Sequence, residues 1–220
     1  MIQRIINNSA TIVFDCDGVV LDSNKVKTQA FYNAAIPYGE EAAYALVDYH
    51  VKHGGVSRYQ KFQYFIDEIV GEKLAGFGFE VLLDRYAEFV MQGLHECKMA
   101  DSLVDLRAAT PNQSWVLVSG GDQRELRSVF KARGIEHLFD GGIFGSPDNK
   151  IDIFTREIGG NIKLPAVYIG DSKYDYYSSA ALGLDFIFLA GWSEVYNWEA
   201  WVEAESLSWC NDISEILRLL

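Results

Sequence analysis

Positive charge is the first thing this sequence is short of. Nineteen Lys and Arg stand against 31 Asp and Glu, a formal net charge of −12. A surface of that sign repels phosphate backbones and anionic headgroups, which argues against nucleic acid and membrane as partners. An anionic ligand would need a few cations to reverse the field locally. Cysteine is scarce too: Cys16, Cys97 and Cys210 form an odd set without zinc-type spacing. That speaks against a disulfide framework and for a reducing compartment. No apolar run approaches the roughly 20 residues a membrane span needs. The opening MIQRIINNSATIVF breaks its apolar character at Asn7, Asn8 and Ser9, where a signal peptide would carry its hydrophobic core. Internal repeats and low-complexity tracts are lacking as well. The expectation is a soluble cytoplasmic protein, and none of these features encodes an oligomeric state.

What is present is core material. Of the 220 residues, 49% are hydrophobic and 14% aromatic, enough for one domain or one domain carrying an insertion. Short apolar runs at 10–14, 115–118 and 166–169 each end in a Gly/Asp/Ser turn and read as buried strands. A fourth, at 185–189, follows Gly183, placed where a helix C-cap glycine belongs. Helical patterns at 102–109, 123–133, 151–158 and 174–182 alternate with them. The expected fold is α/β, a Rossmann-like parallel sheet with helices on both faces.

Between about 22 and 97 the pattern becomes wholly helical. Ser23 reads as the N-cap of a helix ending near Pro37, and a second helix runs from about 40 to 53. Ser57 and Gln60 form a capping box for a third, with Phe62, Phe65, Ile66, Ile69 and Val70 at helical spacing. A fourth carries Phe79, Leu82, Leu83, Tyr86 and Val90 on one face. The expected domains are therefore a core of 1–21 with 98–220 and an inserted α-helical unit of 22–97. The Trp-rich, acidic stretch 192–209 reads as a loop-helix return before a last short strand and helix.

In parallel sheets ligands bind beyond the carboxyl ends of the strands. There FDCDGVV places Asp15 and Asp17, VLVSGGD places Ser119 and Gly120, GSPDNK places Lys150, and YIGDSKYD places Asp171 and Asp175. Carboxylates one residue apart raise each other's pKa and destabilise a site unless a cation or a reaction uses them. Alone, Asp-x-Asp-Gly is a weak signal, because Asp also forms turns. Four pieces at one edge of one sheet are far more specific.

In that order the four motifs resemble those of the haloacid dehalogenase superfamily of phosphohydrolases. The helical insertion is similar to the cap of that family's phosphoglycolate phosphatase and β-phosphoglucomutase branch. The resemblance spans essentially the whole chain, and its specificity lies in the motifs rather than in the cap. It implies that Asp15 attacks phosphorus to form an aspartyl-phosphate, while Asp17 protonates the leaving oxygen and then deprotonates water. It implies Mg²⁺ held by Asp15, the Asp17 main-chain carbonyl and Asp171, with Asp175 orienting that shell from behind. Ser119 and Gly120 would cradle the phosphoryl oxygens beside a helix capped by Asp122 and Glu125, and Lys150 would set a positive charge against the phosphoryl group.

Other candidates weigh differently. Cys16 points away from the Asp pair and reads as a packed small side chain. His50 and His53 lack an acidic partner at metal spacing and read as structural. In HVKHGGVSRYQKF, Gly54-Gly55 reads as a turn between helices; the functional alternative is that Arg58, with Lys61, reaches over the core to hold the substrate's non-reacting part. Tyr49, Tyr59 and Tyr64 read as helix packing. The expected activity is Mg²⁺-dependent hydrolysis of a small phosphorylated metabolite, phosphoglycolate or a sugar phosphate. The alternatives are a phosphomutase using the same aspartyl-phosphate, or a binding protein that kept the fold. The helical unit would act as a lid hinging near 21–23 and 96–99.

Overall fold

The sheet is built around the most apolar run in the chain. The computed structural model describes residues 1–71 and 78–220; residues 72–77, within the expected helical unit, lie outside the described residues. Strand β1 (Thr11–Phe14) is buried along its whole length, as a strand covered on both faces must be. It pairs in parallel with β2 (Ser114–Asp122) on one side and β4 (Ala166–Gly170) on the other. Adding β3 (Gly142–Ser146), β5 (Asp185–Leu189) and β6 (Ser208–Cys210) gives a six-stranded sheet, order β3-β2-β1-β4-β5-β6, parallel throughout.

Strand alternation divides the side chains between two cores. Ile12, Phe14, Trp115 and Leu117 join one apolar cluster; Val13, Val116 and Val118 join the other. The first is covered by α1 (Ile2–Asn8), α6 (Leu103–Ala109), α7 (Gln123–Ala132) and α11 (Ile213–Leu219), through residues such as Ile6, Leu106, Phe130 and Ile216. The second is covered by α8 (Lys150–Glu157), α9 (Lys173–Ala180) and α10 (Trp198–Ala204), through Ile153, Phe154, Tyr176 and Trp201. Each large apolar side chain so buried contributes roughly 1.5–3 kcal/mol.

Between β1 and α6 every described element is helical: α2 (Asn24–Ala35), α3 (Glu40–Lys52), α4 (Arg58–Tyr64) and α5 (Phe79–Glu96), with short helical turns at Ile36–Tyr38 and Phe65–Val70. In α5, Leu82, Tyr86, Val90 and Leu94 are buried at four-residue spacing. Phe31 packs between Tyr86 and Phe62, at 4.5 and 5.2 Å. The first apolar cluster runs unbroken into this segment. The two crossings between sheet and helices lie side by side: Leu21 bridges antiparallel to Met99, and Asp22 N–H donates to Lys98 O.

Four local expectations differ from the structure. Ser23 stands at the N-cap of α2 without capping it, because its hydroxyl donates to Asp17 Oδ1 instead, at 2.5 Å. Asp122 caps α7 by accepting from Arg124 and Glu125 N–H, but the reciprocal half of that box is missing, since Glu125 is turned to Arg58. Ser57 accepts from Gln60 N–H alone. The third helix of the segment gives way after Tyr64 to a wider π-type turn, Phe65–Val70. Strand β3 went unread because GGIFGS holds only two large apolar residues, and β2 continues past Val118 through a register shift to Asp122.

Candidate active site

The carboxyl ends of β1, β2 and β4 open onto a cavity of about 550 Å³, walled on its far side by the helical segment. Asp15, Asp17, Gly120, Gly121 and Asp171 line it from the sheet, and Lys27, His50, Arg58 and Lys61 from the helices. Ser119 and Lys150, both fully enclosed, do not form its surface but stand behind it.

Asp15 is held in place by its own N–H, which donates to Ile169 O at 2.9 Å. Its carboxylate is buried, and Lys150 Nζ lies 3.1 Å from Oδ1. That ammonium points its hydrogen bonds elsewhere, to Asp175 Oδ1 at 2.5 Å and the Tyr168 hydroxyl at 3.0 Å. Asp15 Oδ1 thus has no hydrogen-bond donor although it is buried. Burial, with Asp175 and Asp17 adding to it against the pull of Lys150, pushes the Asp15 carboxyl up to about 7. Asp17 goes the other way. Burial would raise it, but an ion pair with Lys27 and the bond from Ser23 hold it below the ordinary range. Burial opposes the charge on Lys150 as well, yet Asp15 and Asp175 keep it above its usual value.

The Asp171 carboxylate fits under the first loop only because residue 18 is glycine. Gly18 has φ +75, and a Cβ there would sit 2.0 Å from Asp171 Oδ2. Asn24 Nδ2 bonds the same oxygen at 2.8 Å. Burial, then Asp175 and Asp15, raise the Asp171 carboxyl well above the usual range. Oxygens of Asp15, Asp171 and Asp175 all lie within 4.8 Å of one another. Three buried carboxylates sharing one ammonium, with one oxygen lacking any donor, fit a hard divalent cation. Asp175 offers it least: its oxygens already take bonds from Lys150, Tyr168, the Ser172 hydroxyl and two backbone N–H groups.

Gly120 and Gly121 line the cavity at the end of β2, with Ser119 behind them. The Ser119 hydroxyl accepts from Gly121 N–H at 3.1 Å and lies 3.5 Å from Asp17 Oδ2. Gly120 runs directly beneath the loop joining α3 to α4, where an added Cβ would stand 2.4 Å from Gly55 O.

The family model for haloacid dehalogenase-like hydrolases matches residues 10–183, a span holding all four motifs and the helical segment. The chain belongs to the haloacid dehalogenase-like hydrolase family. No curated protein matches it by sequence. Its fold is similar to that of a predicted phosphoglycolate phosphatase from Haemophilus somnus, at 16% identity over 96% of this chain and 97% of that one, TM-score 0.74. It is also similar to a haloacid dehalogenase-like hydrolase from Streptococcus pneumoniae, at 19% identity over 97% and 99%, TM-score 0.69. A β-phosphoglucomutase-like protein from Thermotoga maritima superposes with TM-score 0.65, 18% identical over 95% and 97%.

Within this haloacid dehalogenase-like frame, the structure brings Asp15, Asp17, Ser119, Gly120, Lys150, Asp171 and Asp175 to one place. Arg58 reaches the cavity wall too, but its guanidinium is not free for a ligand. It makes a two-point ion pair with Glu125 and lies 4.4 Å from the centre of the Tyr86 ring. With Tyr59, whose hydroxyl donates to Asp122 Oδ2 at 2.8 Å, it ties the helical segment to the N-terminus of α7. Tyr49 and Tyr64 stack at 3.8 Å, as packing residues do. Cys16 is buried, and burial raises its thiol well above the usual range. Among the described residues, no helix is long and apolar enough to cross a membrane.

Three residues escaped the sequence reading. Ser23 and Lys27, four apart on one helix face, both serve Asp17, and Asn24 holds Asp171. The i, i+4 spacing directly after FDCDGVV was the available signal for the first two.

Proposed function

We propose that this protein is a Mg²⁺-dependent phosphatase that hydrolyses a small phosphomonoester, of the phosphoglycolate or sugar phosphate class, through an aspartyl-phosphate on Asp15. The observation that supports this reading is the convergence of Asp15, Asp17, Asp171 and Lys150 at the carboxyl edge of the sheet, with one buried Asp15 oxygen left without a hydrogen-bond donor. Asp15 is raised and one of its oxygens has no donor; Asp17 is kept ionised by Lys27. A divalent cation beside Asp15 would restore its carboxylate, and a proton brought in with the substrate would make Asp17 the acid. Three free cysteines suit a cytoplasmic setting.

An Asp15 oxygen attacks phosphorus as the bond to the leaving oxygen breaks, and the leaving oxygen takes a proton from Asp17. That proton can enter with the phosphomonoester monoanion, whose second ionisation lies near pH 6. Water then attacks the same phosphorus, gives its proton to Asp17, and breaks the P–O bond to Asp15, releasing inorganic phosphate. Asp15, Asp171 and the Asp17 carbonyl would hold the Mg²⁺, with Asp175 behind them; bound there, the ion screens the carboxylates from the phosphoryl oxygens. Lys150 neutralises Asp15, and Ser119 with the Gly120 N–H supports the transferred group.

The inserted helices, read as a cap, lie closed through Arg58–Glu125 and Tyr59–Asp122. That closure favours phosphomutase as the second reading, since a mutase must keep water from its phospho-enzyme. Phosphate release from a panel of phosphomonoesters, with Mg²⁺ or EDTA, tests the first. Wild-type turnover should require Mg²⁺ and fall at least about 10³-fold in Asp15→Asn. Phosphate release that survives Asp15→Asn overturns the mechanism, and isomerisation without net release selects the mutase.

A further inference from the structure

Among the described residues, four lysines and arginines are buried: Lys27, Arg58, Lys61 and Lys150. Three have carboxylate partners, namely Asp17 for Lys27, Glu125 for Arg58, and Asp15 with Asp175 for Lys150. Lys61, 1% exposed, makes no ion pair. Its Nζ lies 2.7 Å from His50 Nδ1, 3.4 Å from His50 O, and 5.4 Å from the centre of the Phe31 ring. An ammonium has three N–H groups, and the third is unused. With Lys61 as the ammonium donor, His50 accepts at Nδ1 and carries its ring proton on Nε2, which is buried and has no partner. Both residues line the same cavity as Asp15 and Asp17. Glu194 lines it as well, but beyond ion-pair reach of Lys61.

A buried ammonium with an unused N–H thus borders the cavity, and the imidazole that holds it has a buried nitrogen without a partner. Packing alone does not account for this, since an unbranched apolar side chain would fill the Lys61 position without an unpaired charge. We infer that Lys61 and His50 form a subsite for a second oxyanion of the substrate, a carboxylate or a further phosphate on the leaving group. The substrate class is then phosphorylated acids or bisphosphates, and not phosphorylated neutral alcohols. The inference rests on the phosphoryl-transfer reading of the site and places the specificity contact on Lys61 without Arg58.

The test is calorimetric binding in the presence of Mg²⁺ of three non-hydrolysable probes: 3-phosphonopropionate, propane-1,3-diphosphonate and propylphosphonate. Wild-type protein should bind one of the first two at least about 10-fold more tightly than propylphosphonate, the range of one charge-assisted hydrogen bond. Whichever of the two binds better names the oxyanion. Lys61→Met should abolish the preference, and His50→Gln, which keeps the ammonium, should reduce it. Equal affinity for all three probes, no binding of any, or a preference that persists in Lys61→Met overturns the subsite. Because no probe is turned over, a protein that releases phosphate from no ester yet keeps the preference refutes the phosphatase and not the subsite. Phosphate release without a probe preference does the reverse.

Discussion

Asp15 and Asp17 are one residue apart in the chain and far apart in acidity, and neighbours rather than intrinsic chemistry set the difference. At neutral pH a carboxyl near 7 is a weak nucleophile, which a divalent cation beside it would correct. Lys61 carries a similar tension without a carboxylate partner. Burial, reinforced by Lys27, lowers its ammonium to about 7. In the unfolded chain the same group holds its proton to about 10.4. Between those values the unfolded state binds more protons, so stability rises with pH. Below about 7 the full penalty of burying the charge applies. Lys61→Met should therefore be more stable than wild type by on the order of 2–4 kcal/mol near pH 6.5. That excess should fade as pH approaches 10. Urea unfolding at several pH values measures it, and a pH-independent difference would mean that folding leaves the Lys61 ammonium at its unfolded-state pKa. A binding residue that costs stability is a familiar trade.

At the scale of elements, the site depends on how closely the α3–α4 loop comes down on the end of β2. Gly120 and Gly55 nearly touch, while Arg58 and Tyr59 at the start of α4 fasten to Glu125 and Asp122 at the start of α7. The closed arrangement therefore has a steric requirement separate from its polar ties. Gly120→Ala should hold the loop off its seat and lower kcat/KM by about 10- to 100-fold, since small misplacements of a positioning element cost that much. The thermal midpoint should move little, because the apolar clusters are untouched. Steady-state kinetics beside a melting curve decides it; unchanged kcat/KM would show that closure at Gly120 does not matter to turnover.

Over the whole molecule, charge is distributed against the average. The chain carries −12, yet every buried lysine and arginine among the described residues surrounds the cavity. The carboxylates gathered there oppose folding unless a cation joins them. Mg²⁺ at about 100 times its dissociation constant should add about 2.7 kcal/mol, which for a chain of this size raises the melting temperature by roughly 5–10 °C. Asp171→Asn should lose most of that shift. A midpoint indifferent to Mg²⁺ in the wild type would count against the metal site.

Most of the strands, their parallel direction and the edge where the motifs gather were legible because each rests on a local pattern. Apolar runs ending in Asp, Ser or Gly mark buried strands and their carboxyl ends whatever surrounds them. Strand β3 was not legible, because its burial comes from neighbours and not from its own hydrophobicity. The same holds within the site. Asp15, Asp17, Ser119, Lys150, Asp171 and Asp175 could be named from motifs, but the occupation of their hydrogen bonds could not. Arg58 looked available for a ligand until Glu125, 67 residues later, was seen to hold it. Lys61 could be named beside Arg58, but its contact with His50, eleven residues earlier, could not. Residue type and spacing along the sequence specify which groups reach the sheet edge. Only the tertiary structure decides which of their charges are already paired, because pairing depends on distances between segments that no local pattern records.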